Sequence, residues 1–252
     1  LNQYPVKLLE GFMTNSRNII VVKKEAKTKF YIKPNEYVTP QIAVHISGKT
    51  VHEIIDSIEV NAPKIIQEIK KSEIDIFQKR NIRRSLERDK IKSRFNVLIN
   101  VPDKYKIVLQ GKKFLWLKKE ITSGNASLVI YQVPYKSIHN YNTVNDIVRT
   151  RDSIGKLYIS GTEPNTTMIT EEAYAPYLSK ITLDDKETFE TKGTWELNND
   201  FMSGPFINYA IIDKEYNRIL VLEGFCYAPS KEKRDLMHEL ESIIKSVDVL
   251  KR

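Results

Sequence analysis

The sequence holds one cysteine, Cys226, in 252 residues, so an intrachain disulfide scaffold is excluded. A lone cysteine leaves the redox compartment open, because cysteine-poor proteins live on both sides of a membrane. Glycine (9) and proline (10) are too few for a collagen-like chain. No apolar run approaches the ~18 residues that a spanning helix needs. Runs such as Ile219 to Leu222 are strand-sized. His45, His52, His139 and His238 have no second histidine at i+2 to i+4, and there is no Cys/His cluster, so no metal is expected. No G-x-S-x-G elbow supports a hydrolase serine.

Hydrophobic residues at 41% and charged residues at 29% are ordinary for a folded protein and exclude a wholly disordered chain. At this length, folding buries about 73% of the extended-chain surface, enough for a substantial core. The net charge is +8, and it is concentrated. From Lys79 to Arg94 there are eight Lys/Arg and two Asp/Glu. Either this is a solvated helix face or Arg80, Arg83, Arg84 and Arg88 touch an anionic surface. Aromatics that could stack on bases are confined to Phe77 and Phe95 at its flanks, so nucleic acid is not expected as a partner.

Strands are expected at Asn18–Lys23, Lys29–Ile32 and Gln41–Ile46. Val51, Ile54, Ile55 and Ile58 then follow helical spacing, with Thr50 and Glu53 as a capping box. Pro63 reads as the start of a second helix, running from about 62 to 94. Further strands are expected at Val97–Val101, Tyr105–Leu109, Lys113–Leu117 and Leu128–Val133. A helix over about 142–153 follows, and then a loop with Gly161 and Pro164. Two hairpins come next: Leu178–Leu183 with Glu187–Leu197 across Asp184-Asp185, and Phe206–Ile212 with Arg218–Tyr227. A final helix is expected from an N-cap at Ser230, with Leu236, Leu240, Ile243, Ile244 and Val247 as its apolar face.

Clustered strands ended by helices predict an α+β fold. It consists mainly of antiparallel sheet built from hairpins, backed by a long basic helix and a C-terminal amphipathic helix. Trp116 through Tyr131 to Pro134, and Trp195 through Tyr227 to Pro229, echo each other as a weak internal duplication. No linker forces a boundary, so one domain over 1–252 is expected. A division into halves would fall between 1–95 and 96–252.

Ser47-Gly48-Lys49-Thr50 ends like a phosphate-binding loop, but the pattern needs glycine where Ala43 stands, so an ATPase is rejected. Cys226, between Phe225 and Tyr227, reads as a small buried hydrophobe rather than a nucleophile. Asp184-Asp185 and Glu171-Glu172 read as exposed loop charges. The segment Lys192-Gly193-Thr194-Trp195 through Asn198-Asn199-Asp200 to Met202-Ser203-Gly204-Pro205-Phe206 is denser. Its turn residues, with a flanking Trp and Met, could rim a shallow apolar pocket or simply hold a structural loop. Arg151-Asp152 reads as a structural ion pair at a helix end.

That C-terminal segment, with Tyr227-Ala228-Pro229, Lys233-Arg234-Asp235-Leu236-Met237 and Leu240-Glu241, resembles an uncharacterised family of bacterial lipoproteins. This is domain-of-unknown-function family 4837, seen mainly in Bacteroidetes. Arg17-Asn18-Ile19-Ile20, Pro40-Gln41, Phe114-Leu115-Trp116, Ile130-Tyr131, Pro134-Tyr135, Arg151-Asp152-Ser153, and Gly193 with Trp195 match in order. Ser203 replaces the family's first glycine of Gly-Gly-Pro-Phe, and Lys192 replaces its arginine, which argues against a bidentate anion clamp there. Family members open with a lipid-attachment cysteine, a strand and a helix ahead of the Arg-Asn segment. The resemblance therefore places Leu1 partway into the family domain and implies an upstream anchor.

The expectation that follows is a non-catalytic lipoprotein module on the periplasmic side of a cell-envelope membrane, binding a protein, glycan or lipid partner without a cofactor. Its ligand-binding candidates are Trp116, Tyr131, Arg151, Trp195, Asn199, Asp200, Gly204 and Glu223. The alternative is an envelope hydrolase whose site gathers Tyr131, Arg151, Asp200 and Glu223 from distant segments.

Overall fold

The computed structural model describes residues 2–82 and 88–251. They form the expected α+β fold, with mainly antiparallel sheets built from hairpins. The chain divides into two compact units, with the boundary in sequence between Phe77 and Gln78.

In the first unit, β1 (Asn18–Lys24), β2 (Lys29–Pro34) and β3 (Ile42–Gly48) lie in the order β1-β3-β2. β3 runs parallel to β1 and antiparallel to β2. Register sets Phe30 opposite Ile46 and Ile32 opposite Val44, so these four apolar side chains share one face. That face packs against α1 (Val51–Asn81) through Ile54, Ile65 and Ile69. The Thr50 half of the expected box is present, Thr50 Oγ1 accepting the Glu53 N–H at 3.2 Å, while Glu53 Oε2 reaches one residue further back and accepts the Lys49 N–H at 3.0 Å.

The two helices expected over 51–58 and 62–94 are a single helix as far as Asn81. Pro63 lies inside it rather than at a start. An interior proline costs about 3 kcal/mol in helix propensity. Ile54 and Ile65, three turns apart on one buried stripe, hold the helix continuous against that cost. Residues 83–87 lie outside the described residues, and helix resumes as α2 (Arg88–Phe95).

The second unit is built on one large antiparallel sheet. Its strands are β5 (Lys106–Gly111), β6 (Phe114–Ile121), β7 (Gly124–Pro134), β8 (Met168–Thr170), β9 (Tyr177–Leu183), β10 (Lys186–Leu197), β11 (Ser203–Asp213) and β12 (Arg218–Tyr227). They are ordered β5-β6-β7-β12-β11-β10-β8, and β9 also pairs with β10. α3 (Thr143–Tyr158) covers one face, where Phe114, Tyr131, Phe206, Val221 and Phe225 make the main core with Ile147. α4 (Arg234–Ile244) covers the other, with Leu240 against Gly224.

Several boundaries differ from expectation. α3 runs past 153 to Tyr158 because Gly155 lets it close on β8; a Cβ there would stand 2.0 Å from the Met168 carbonyl oxygen. β8 falls beyond the loop of Gly161 and Pro164, in a stretch where the sequence predicts no strand. Of Val97–Val101, only β4 (Val97–Leu98) is strand, and it pairs with β13 (Asp248–Val249). α4 starts at Arg234 without a side-chain cap. Ser230 lies in a preceding turn, closed by the Lys231 N–H on the Ala228 carbonyl at 3.2 Å.

Candidate functional site

Strand alternation puts Tyr131, Asn208 and Glu223 on the sheet face that α3 covers, and α3 lowers Arg151 onto them. Arg151 and Glu223 are each 1% exposed. Arg151 Nε donates to Glu223 Oε1 at 2.9 Å, and Nη1 donates to Thr170 Oγ1 at 2.9 Å. The guanidinium carbon lies 4.0 Å from the centre of the Phe206 ring. Asn208 Nδ2 donates to Glu223 Oε2 at 2.8 Å. Asp152 Oδ1 fixes Thr170 from behind, accepting both its N–H and its hydroxyl at 2.8 Å.

Burial pushes the Glu223 carboxyl above the usual carboxylate range, against the opposing pull of the Arg151 charge and the Asn208 amide. Burial, then the Glu223 charge, also pushes the Tyr131 phenol well above its ordinary value. Three of the four residues expected in a gathered site therefore do gather, and they do so inside the core. Asp200, the fourth, sits in the β10–β11 turn, where Oδ1 accepts the Phe201 N–H at 2.6 Å.

The remaining candidates have structural surroundings. Trp195 is buried edge-on to Phe225 at 5.6 Å, with Nε1 donating to the Cys226 carbonyl at 3.3 Å. Gly204 lies opposite Trp195 in the β10–β11 ladder. A Cβ on Gly204 would stand 2.1 Å from that same carbonyl oxygen, so the glycine admits a close strand approach. Asn199 takes φ +64 in the turn. Trp116 packs on the main core beside Phe225. Burial pushes the Cys226 thiol up to about 11, which suits a packed residue rather than a nucleophile. Of the basic candidates, Arg80 is exposed and Arg88 donates to Asn100 Oδ1. Arg83 and Arg84 lie outside the described residues.

The first unit carries an open groove of about 460 Å³, which was not expected from the sequence. Phe30, Ile32 and Ile42 make it apolar, and Tyr31 and Pro34 continue it along β2. Lys64 and Glu68, one helical turn apart on α1, give its other wall one charge of each sign. Lys64 Nζ stands 5.9 Å from the centre of the Phe30 ring. β2 is terminal in its sheet, so the groove runs beside an edge strand.

Comparison with known proteins finds two distant structural matches and a family. The Ran-binding protein Mog1p of Saccharomyces cerevisiae is 9% identical, over 62% of this chain and 90% of its own, with a TM-score of 0.38. A point mutant of Mog1 gives the same score, with 91% of its chain covered. No curated protein matches. The model of a second domain of unknown function, DUF8532, matches residues 1–82. That of the domain of unknown function DUF4837 matches residues 84–246, which is 163 of 252, and the chain belongs to the DUF4837 family.

Proposed function

We propose that the chain is a non-catalytic, partner-binding module of an envelope lipoprotein, and that the groove between β2 and α1 receives an extended segment of a partner protein. The groove is the observation that carries this reading. Its volume lies in the usual range for a ligand site, and its lining is mainly apolar with two placed charges. An edge strand beside a helix suits strand addition: main-chain hydrogen bonds supply affinity, and a pocket selects every second side chain. Phe30 and Ile32 offer such a pocket on the α1 side of β2. A hydrolase would need Tyr131, Arg151 and Glu223 to open onto a cleft, and Arg151 and Glu223 are sealed.

Photocrosslinking in cells tests the groove. Tyr31, exposed on its rim, is replaced by p-benzoylphenylalanine, with Tyr174, exposed in the second unit, as the control position. One discrete protein adduct at Tyr31, absent at Tyr174 and lost in Lys64→Trp, is expected. Equal adducts at both positions overturn the groove, and an adduct of lipid or glycan mass replaces a protein partner with that class.

The envelope assignment rests on the family resemblance. The full-length protein should incorporate an alkyne-labelled palmitate. Absence of label from it removes the lipid anchor.

A further inference from the structure

We infer that β5, the free edge of the large sheet, is a docking strand for an acidic, extended segment of a partner protein. This site lies in the second unit and does not rest on the groove. Residues 88–120 hold ten Lys/Arg against three Asp/Glu, a net of +7 in a chain of net +8. The fold gathers them. Arg94 of α2 donates to the Phe114 carbonyl at 3.4 Å and to Gln110 Oε1 at 3.2 Å, which fixes α2 beside the β5–β6 hairpin.

Two lysines of this region are committed. Lys118 pairs with Glu120 at 2.9 Å, and Lys119 pairs with Glu239. Lys92, Lys104, Lys106, Lys112 and Lys113 are exposed and have no ion-pair partner among the described residues. Asp89 and Asp103 are the acidic groups left nearby, and both are exposed. β5 ends the sheet, so one row of its backbone groups faces no strand among the described residues. Val108 and Leu109 are 49% and 39% exposed on it, bracketed by Lys106 on one side and Lys112 on the other.

These features select among occupants. A second copy of this edge would set lysine against lysine, and like charges opposed across a ladder repel. The bulge between Ile107 and Leu109 further discourages self-pairing. An acidic strand meets the opposite situation, because the same lysines attract it and steer its approach. A membrane surface would satisfy the charges and the two apolar side chains. It would also take water from the unpaired edge without returning hydrogen-bond partners, which costs free energy at each group. An extended peptide supplies all three.

The test is fluorescence anisotropy of the whole chain with a labelled peptide of alternating Glu and Val. Binding that weakens as salt rises is expected. Lys112→Glu with Lys113→Glu should weaken it at least about tenfold, a loss of about 1.4 kcal/mol. The same peptide with alternate backbone amides N-methylated cannot form the ladder and should also lose about tenfold, with the protein untouched. Equal affinity for the N-methylated peptide, or for the Lys112/Lys113 variant, overturns the proposal, as does no binding at all. Vesicles rich in phosphatidylglycerol that bind this region more tightly than the peptide replace a protein partner with a membrane.

Discussion

Replacing Arg151 with methionine should cost the second unit about 3–5 kcal/mol, a large part of the stability of an ordinary domain. The loss is not that of one contact. Arg151 is the only cation bonded to the buried Glu223 among the described residues, and its removal leaves that carboxylate without a counter-charge. It also leaves Thr170 Oγ1 without its donor.

The effect carries a pH signature. Glu223 already sits above the usual carboxylate range because it is buried, and losing Arg151 drives it higher. A carboxyl whose folded value is raised holds its proton in the native state after the unfolded chain has released its own. Stability therefore falls as pH rises above about 4.3, until the folded value is passed. Urea titrations at pH 5 and pH 8 should show Arg151→Met losing more at pH 8. Arg151→Met with Glu223→Leu should recover most of the loss, because an apolar pair tolerates the dry site. A cost below about 1 kcal/mol, with no pH dependence, would mean that water reaches the cluster. The hydrolase reading of Tyr131, Arg151 and Glu223 would then return.

That cluster also shows what a sequence of this kind exposes and conceals. Glu223 is conspicuous because it occupies a core-facing position in the apolar run Arg218–Tyr227, and Arg151 because it falls inside an amphipathic helix. Asn208 and Thr170 carry no such mark. They become partners only when register sets Asn208 opposite Glu223 and α3 closes on β8. The hairpins were legible because alternation and turn chemistry agree: Asp184 and Asp185 both take positive φ between β9 and β10. β8 was missed because three residues cannot display a period. Pro63 misled because tertiary packing outweighed its local preference. The groove left no trace in the sequence, since Lys64 and Glu68 read as an ordinary helix surface until α1 lies along β2.

Arg218 is the second position where one side chain holds several elements. Its Nε donates to Asp213 Oδ2 at 2.8 Å, across the base of the β11–β12 hairpin. One terminal nitrogen donates to Gln132 Oε1 of β7 at 2.7 Å, and the other to the Phe95 carbonyl at 2.7 Å, the last residue of α2. Asp213 is fully buried, Arg218 bonds its Oδ2, and its Oδ1 has no hydrogen-bond partner among the described residues. Arg218→Met should therefore cost about 3–5 kcal/mol. Arg218→Lys keeps the charge but lacks the planar fork that reaches three acceptors at once, so it should recover only part of the loss. The difference from Arg151 lies in where the damage spreads. Hydrogen exchange in Arg218→Met should accelerate at the Asn96 amide, which closes the end of α2 on the Lys92 carbonyl. α2 also carries Arg94, which fixes the basic face beside β5. The variant should then bind the acidic peptide more weakly, although Arg218 touches no part of the β5 edge. Unchanged exchange at Asn96 together with unchanged peptide affinity would show that α2 is held by other means.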